Sequence, residues 1–274
     1  MASPAPIPAF LYGTAWKEER TEALVVQALA AGLRGIDTAN QRKHYFEAAV
    51  GQALAGTRIE RGELFLQTKF TFQAGQDKRL PYDPKADITT QVNQSFESSL
   101  DHLGTHYLDS YLLHGPSSRG RLQPVDIAAW RALEALARSG RTRFIGISNV
   151  SLAQLRELFE LSHVKPRFVQ NRCYASTGWD REIRAFCGQH GMTYQGFSLL
   201  TANRSELAGK AMKQLARRTG RAPAELVFRF AVQAGTLPLT GTSSAEHLRL
   251  DLNALDFELS PADFTALEQL SAEG

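Results

Sequence analysis

The chain has 274 residues, 43% of them hydrophobic, and carries 31 Lys and Arg against 28 Asp and Glu for a net charge of +3. That composition supports a full hydrophobic core, and a charge so close to balance, with basic residues bunched only at Arg138 to Arg143 and Lys210 to Arg221, argues against a nucleic-acid partner. Two cysteines make no disulfide framework, no metal-ligand spacing occurs, no apolar run reaches membrane-spanning length, and MASPAPIPAF lacks the charged and apolar regions of a secretory leader, so a cytoplasmic protein without metal or membrane partner is expected.

Phe10 to Gly13 reads as a short strand. Thr21 to Ala31 is amphipathic, with Thr21 as the expected N-cap and Gly32 as the stop. Gly35 to Ala39 is the second strand, Phe46 to Ala55 a helix, and Leu64 to Phe70 the third strand. Thr71 to Pro84 is polar, holds two prolines and reads as a loop. Asp87 to Leu103 has helical spacing and ends at Gly104. Tyr107 to Pro116 (YLDSYLLHGP) is an apolar run that stops at a single His before a Gly-Pro turn. Pro124 to Ser139 is a helix closed by Gly140. Phe144 to Asn149 is the fifth strand, and Ser151 caps the next helix. Phe168 to Cys173 is the sixth strand, followed by a helix over Asp180 to His190 that carries Cys187 as a small core residue. Thr193 to Ser198 is the seventh strand, Glu206 to Thr219 and Ala224 to Ala234 are helices, and Leu237 to Thr242 is the eighth strand. Ser260 caps a final helix to Leu270, with Pro261 at its first position.

Strand, polar residue, helix, repeated eight times, predicts an α/β protein of the (β/α)8 TIM-barrel class, with its chemistry at the carboxyl ends of the strands. A barrel of this kind needs about 250 residues and counts as one domain, so residues 1–274 are expected to form a single domain.

The chain has no G-x-G-x-x-G, no Walker A loop, no G-x-S-x-G elbow and no H-E-x-x-H. It has instead Asp37, Lys69 and His114, each at the end of a strand. Singly, each reads as a turn cap, a solvated end or a packed imidazole. Together they converge on one pocket, where a buried Asp–Lys pair is costly without a task. Tyr45, at the start of the following helix, makes the chemistry specific. A phenol is too weak an acid at neutral pH, a neighbouring ammonium is expected to lower its pKa, and Asp37 would hold Lys69 charged. His114 would then orient a carbonyl oxygen while Tyr45 protonates the developing alkoxide.

The stretches GIDTA, HYFEAAVG, TKF, YLDSYLLHGP, GRTRFIGISN, FVQNRCY and APAELVFRFAVQAG, in this order, make the chain resemble an aldo-keto reductase over nearly its whole length. The resemblance implies an NADP(H)-dependent enzyme that reduces aldehydes or ketones; from the neutral residues around Leu239 and Thr240, NAD(H) is expected as a weaker substitute. It implies catalytic roles for Asp37, Tyr45, Lys69 and His114, carboxamide binding by Ser148, Asn149 and Gln170, and nicotinamide stacking on Phe197. It also implies cofactor contacts at Ser198, Leu200, Gly241, Thr242, Ser243 and His247. Ser243 and Glu246 fit a capping box for the short helix after the eighth strand. Trp16, Phe72 and Trp179 are the aromatics expected to line the substrate pocket. Counting from Asp37 lands on Arg42, and counting back from Glu47 and Gly51 lands on His44. Tyr45 is chosen because only a phenol suits the role, and because the longer turn resembles a subgroup carrying Lys-His-Tyr. The same residues serve alcohol or hydroxysteroid oxidation, and a cofactor-binding subunit with little turnover stays open. The expected partner is a small-molecule carbonyl compound, and the expected state a monomer or weak oligomer.

Overall fold

The computed structural model describes residues 5–270; residues 1–4, part of the stretch read above for a leader, and residues 271–274 lie outside it. Eight parallel strands follow one another in sequence order and close into a barrel, with helices between them, which is the (β/α)8 fold. By its internal contacts the chain divides into two compact units, one up to Gln170 and one from Asn171, and each is described in turn.

The first unit begins with β1 (Leu11–Gly13), α1 (Thr21–Ala30), β2 (Gly35–Asp37), α2 (Glu47–Ala55) and β3 (Phe65–Phe70). It continues through α3 (Ile88–Leu103), β4 (Leu108–Leu113), α4 (Pro124–Arg138), β5 (Thr142–Ser148), α5 (Leu152–Leu161) and the start of β6 (Phe168–Arg172). Every residue of β2, β3 and β4 is buried, as strands covered on both faces require. The register sets Asp37 beside Gln67, Lys69 beside Leu112 and Ser148 beside Gln170, so the polar strand ends share one rim. Gly146 admits no side chain: a Cβ there would lie 2.3 Å from the Phe168 carbonyl oxygen, which explains a glycine inside a buried strand.

Most helix ends of this unit follow the expected chemistry. Ser151 accepts from the Gln154 N–H, and Gly104 closes α3 in the left-handed region at φ +61°. Thr21, expected as an N-cap, is instead the first helical residue; its hydroxyl donates to the Glu18 carbonyl, because a 3-10 turn over Glu18–Arg20 already leads into α1.

The second unit holds α6 (Arg181–Gln189), β7 (Thr193–Phe197), α7 (Arg204–Ala208), α8 (Lys210–Thr219), α9 (Pro223–Gln233), β8 (Leu237–Thr240), α10 (Ala245–Leu252) and α11 (Pro261–Glu268). The single helix expected over Glu206 to Thr219 is two. Gly209 is extended, at ψ 168°, and starts α8 while ending α7. A residue with poor helix propensity sits at that break, and the buried Asn203 pins the segment entering α7 by bonds to Ala175 N, Cys173 O and Leu199 O. Another correction concerns α10, whose cap is Ser244, accepting from the His247 N–H, and not Ser243.

Candidate active site

The side chain of Asp37 leaves the end of β2, where the Thr14 N–H and hydroxyl both donate to its carbonyl. Lys69, wholly buried on β3, places Nζ 2.7 Å from each Asp37 carboxylate oxygen and 2.8 Å from the Thr38 carbonyl. These contacts use the three donors of the ammonium. Gln67 Nε2 donates to Asp37 Oδ1 at 2.7 Å, and Gln170 Nε2 to the same oxygen at 3.0 Å. Burial pulls the Lys69 pKa below its ordinary value, and the charges of Asp37 and Glu47 oppose that pull. A buried pair needs such satisfied lone pairs and protons to persist.

Tyr45 lies against this pair. Lys69 Nζ is 5.4 Å from the centre of its ring, and the His114 ring meets it edge-on with centroids 5.8 Å apart. The turn before it closes on Gln41, whose carbonyl accepts from the His44 and Tyr45 N–H groups at 3.2 and 3.0 Å. That turn sends Arg42 outward to Glu18 and Glu19, and sets His44 under the exposed Trp16, ring centroids 3.9 Å apart. Of the residues reached by counting, Tyr45 is the one whose ring packs against both Lys69 and His114. The expected effect of Lys69 on the phenol is not what prevails. Burial, and then the Asp37 carboxylate, raise the Tyr45 pKa, because the charge of Lys69 is already matched by Asp37. With Lys69 shifted down and Tyr45 up, rising pH removes the lysine proton first.

His114 directly follows β4, its N–H bonded to the Phe70 carbonyl at 2.8 Å, and its Nδ1 lies 2.6 Å from Thr71 Oγ1. Burial, the Lys69 charge and His44 pull its pKa down to about 3. It is therefore a neutral imidazole over the working pH range, suited to hydrogen-bond a carbonyl oxygen and not to supply a proton. The unfolded chain takes up a proton near pH 6.5 that the folded chain refuses until about pH 3, so stability tied to this residue is full above 6.5 and lost as pH falls. We expect thermal melts to weaken below pH 6.5, and His114→Gln to flatten that decline; an unaltered slope would refute the neutral assignment.

At the end of β5, Ser148 is buried and Asn149 is exposed at φ +52°, a conformation Asn tolerates. Asn149 Nδ2 donates to the His114 carbonyl and to Ser148 Oγ, tying the ends of β4 and β5. The amide nitrogen of Gln170, expected to bind a carboxamide, is engaged by Asp37. The sequence reading missed Gln67 and Thr71. Both alternate with Lys69 on β3 and its continuation, so period-two spacing was the available signal.

In the second unit, Phe197 ends β7 half-buried with the Arg172 guanidinium 5.5 Å from its ring centre, and Ser198 follows at φ +57°. Leu200 is half-buried in the next turn. Gly241, Ser243 and His247 are exposed around the start of α10, and Thr242 is half-buried there with its hydroxyl accepting from Ser244 N. Hydroxyls, an imidazole and a helix N-terminus form a donor set that fits a phosphate. Trp179, expected in the substrate pocket, is wholly buried; its indole N–H donates to the Leu267 carbonyl and its ring packs on Phe230, so it belongs to the core. In the first unit Phe72 is half-buried against Phe70, and Trp16 is 66% exposed. Among the described residues no group of three or more His, Cys, Asp or Glu could hold a metal, and no helix is long and apolar enough to cross a membrane.

Strands that carry Asp, Lys and His at their carboxyl ends give this barrel the layout of a (β/α)8 enzyme. The sequence profile of the Aldo/keto reductase family matches residues 10–272, and the chain belongs to that family. An aldo-keto reductase of Mycolicibacterium vanbaalenii is 32% identical over 92% of this chain and 84% of its own. A 9,11-endoperoxide prostaglandin H2 reductase of Trypanosoma cruzi is 28% identical over 90% of this chain and 81% of its own. The crystal structure of an aldo/keto reductase from Brucella melitensis is similar with a TM-score of 0.82 at 29% identity, over 97% of this chain and 95% of that one. A mutant of Gox0644 solved in complex with NADPH is similar with a TM-score of 0.81 at 26% identity, over 97% and 90%.

Proposed function

We propose that the protein reduces aldehydes or ketones to alcohols with NADPH, using Tyr45 as the general acid. The observation that carries this reading is the Tyr45 ring packed against neutral His114 beneath a Lys69 ammonium that Asp37 neutralises. Bound nicotinamide cofactor supplies the hydride. His114 orients the carbonyl oxygen, and Tyr45, kept protonated by its surroundings, gives its proton to that oxygen as charge develops there. Lys69 then faces the phenolate and stabilises it, and Asp37 keeps Lys69 charged and aimed. Ser148 and Asn149 are the proposed holders of the carboxamide, with Gln170 joining them through its carbonyl end. Phe197, Ser198 and Leu200 would flank the ring, Gly241 would contact the cofactor beside them, and Thr242, Ser243 and His247, with Arg249 more weakly, would receive the 2′-phosphate. Trp16 and Phe72 are the proposed pocket aromatics. The test is NADPH absorbance with a panel of aldehydes and ketones, and a chain that binds NADPH yet turns over none of them would overturn the reading.

Cofactor choice gives a further expected result. The end of β8 offers Leu239 and Thr240 and no charged pair, so neutral donors and the α10 N-terminus do the discriminating. Neutral hydrogen bonds are roughly half as strong as charge-assisted ones. NADPH should therefore be preferred over NADH only modestly in kcat/KM, and Ser243→Ala/His247→Ala should reduce the preference. Equal or better use of NADH by the parent would refute it.

A further inference from the structure

Glu47 is the first residue of α2, and the residue is 4% exposed. A buried carboxylate at a helix start gains from the helix dipole, yet it still needs partners for both oxygens. It has them on two other elements. Thr68 on β3 donates its hydroxyl to Oε1, and His102 on α3 brings Nδ1 to 3.0 Å from Oε2. The packing around this link is tight, because a Cβ on Gly51, one turn further along α2, would lie 1.8 Å from the His102 carbonyl oxygen.

The neighbours of these partners are the residues of the proposed chemistry. Tyr45 precedes Glu47 by two positions, in the turn that enters α2. Thr68 precedes Lys69, and in a strand adjacent side chains face opposite ways. Thr68 therefore turns toward the helix layer while Lys69 enters the barrel. We infer that Glu47 is a positioning residue: anchored to Thr68 and backed by His102, it fixes the Tyr45 turn against the Lys69 strand and presents a negative charge behind Lys69. This rests on the proposed roles of Tyr45 and Lys69.

The electrostatics agree with the geometry. The charge of Glu47 raises the Lys69 pKa, alongside the larger contribution of Asp37. The groups facing Lys69 are Asp37 from β2, Tyr45 from the turn before α2 and His114 after β4, and Glu47 of α2 adds its charge from behind the strand. Glu47 in turn faces His102, whose pKa is raised by the Glu47 hydrogen bond, with Asp101 adding to it. Removing the Glu47 charge thus makes Lys69 easier to deprotonate, and activity that requires the ammonium is lost at lower pH.

The test compares Glu47→Gln, Thr68→Val and Tyr45→Phe with the parent, by carbonyl reduction against pH and by NADPH binding. Glu47→Gln keeps the size of the side chain and removes its charge. It should lower kcat roughly three- to ten-fold, leave NADPH affinity in place and move the basic limb of the profile down by about half a unit or more. Thr68→Val removes the anchor and keeps the charge, so it should lower kcat without moving the limb. A scaffold role alone would lower kcat in both variants and leave both limbs in place, which would overturn the electrostatic half. Parent-like kcat in Thr68→Val would overturn the anchoring half, and that variant decides the matter if Glu47→Gln fails to fold. A parent whose turnover depends on Tyr45 while both variants behave as parent sinks this inference alone. A turnover indifferent to Tyr45→Phe sinks the reading beneath it.

Discussion

Tyr45→Phe should cost about 10²- to 10⁴-fold in kcat, the usual worth of a positioned proton donor, while NADPH binding measured by fluorescence titration stays close to the parent. The substitution deletes one hydroxyl and keeps the ring that meets His114 edge-on and lies under Lys69 Nζ. Packing and the Asp37–Lys69 pair therefore persist, so lost activity reports the missing proton. His44→Ala is the matching control. His44 sits one residue earlier and stacks on the exposed Trp16, so its loss should alter turnover far less. A Tyr45→Phe enzyme with near-parent kcat would end the assignment.

The shifts also decide how the pH profile should be read. A phenol with its pKa lowered by lysine would produce the basic limb itself. Here burial and Asp37 raise Tyr45, while burial lowers Lys69. The basic limb of kcat should accordingly report the loss of the Lys69 proton. His114, down at about 3, adds no limb at all between pH 5 and 9.

This difference marks where the sequence stopped being informative. Asp37, Lys69 and His114 stood out as candidates because each lies at or beside the carboxyl end of an apolar strand, and strand ends of a barrel converge. Tyr45 was a candidate from chemistry and not from spacing, since the turn closed on Gln41 breaks any count from Asp37 and sends Arg42 to the surface. The sign of the phenol shift was not legible. It comes first from the burial of the phenol and then from the Asp37 carboxylate, whose two oxygens hold Lys69 Nζ at 2.7 Å. Gln67 and Thr71 carry no chemistry of their own, so nothing but strand alternation marks them. The partnership of Glu47 with His102, 55 residues away, has no local sign in the sequence. Trp179 misled for a simple reason: a large aromatic after a strand can face a ligand or the core, and here its indole N–H finds a carbonyl inside the core.

Lys69→Met should be damaging in two separable ways. In the proposed mechanism it removes the cation that would face the phenolate, so kcat should fall by about 10² or more. It also leaves the carboxylate of Asp37, a residue 2% exposed, with hydrogen bonds from Gln67 and Gln170 and no countercharge. Breaking a buried pair from one side costs about 3–5 kcal/mol, which for a chain of this length lowers the melting temperature by roughly 10 °C. The double variant Asp37→Asn/Lys69→Met removes both charges and keeps the amide's capacity to accept from Gln67. It should recover most of the lost stability, since replacing a buried pair with neutral groups is close to neutral, and recover none of the lost kcat. Denaturant or thermal melts beside kcat measurements on the three proteins separate the effects. A single variant as stable as the parent would show that Asp37 does not depend on Lys69 for its charge. A double variant with restored turnover would show that Lys69 serves the fold and not the reaction.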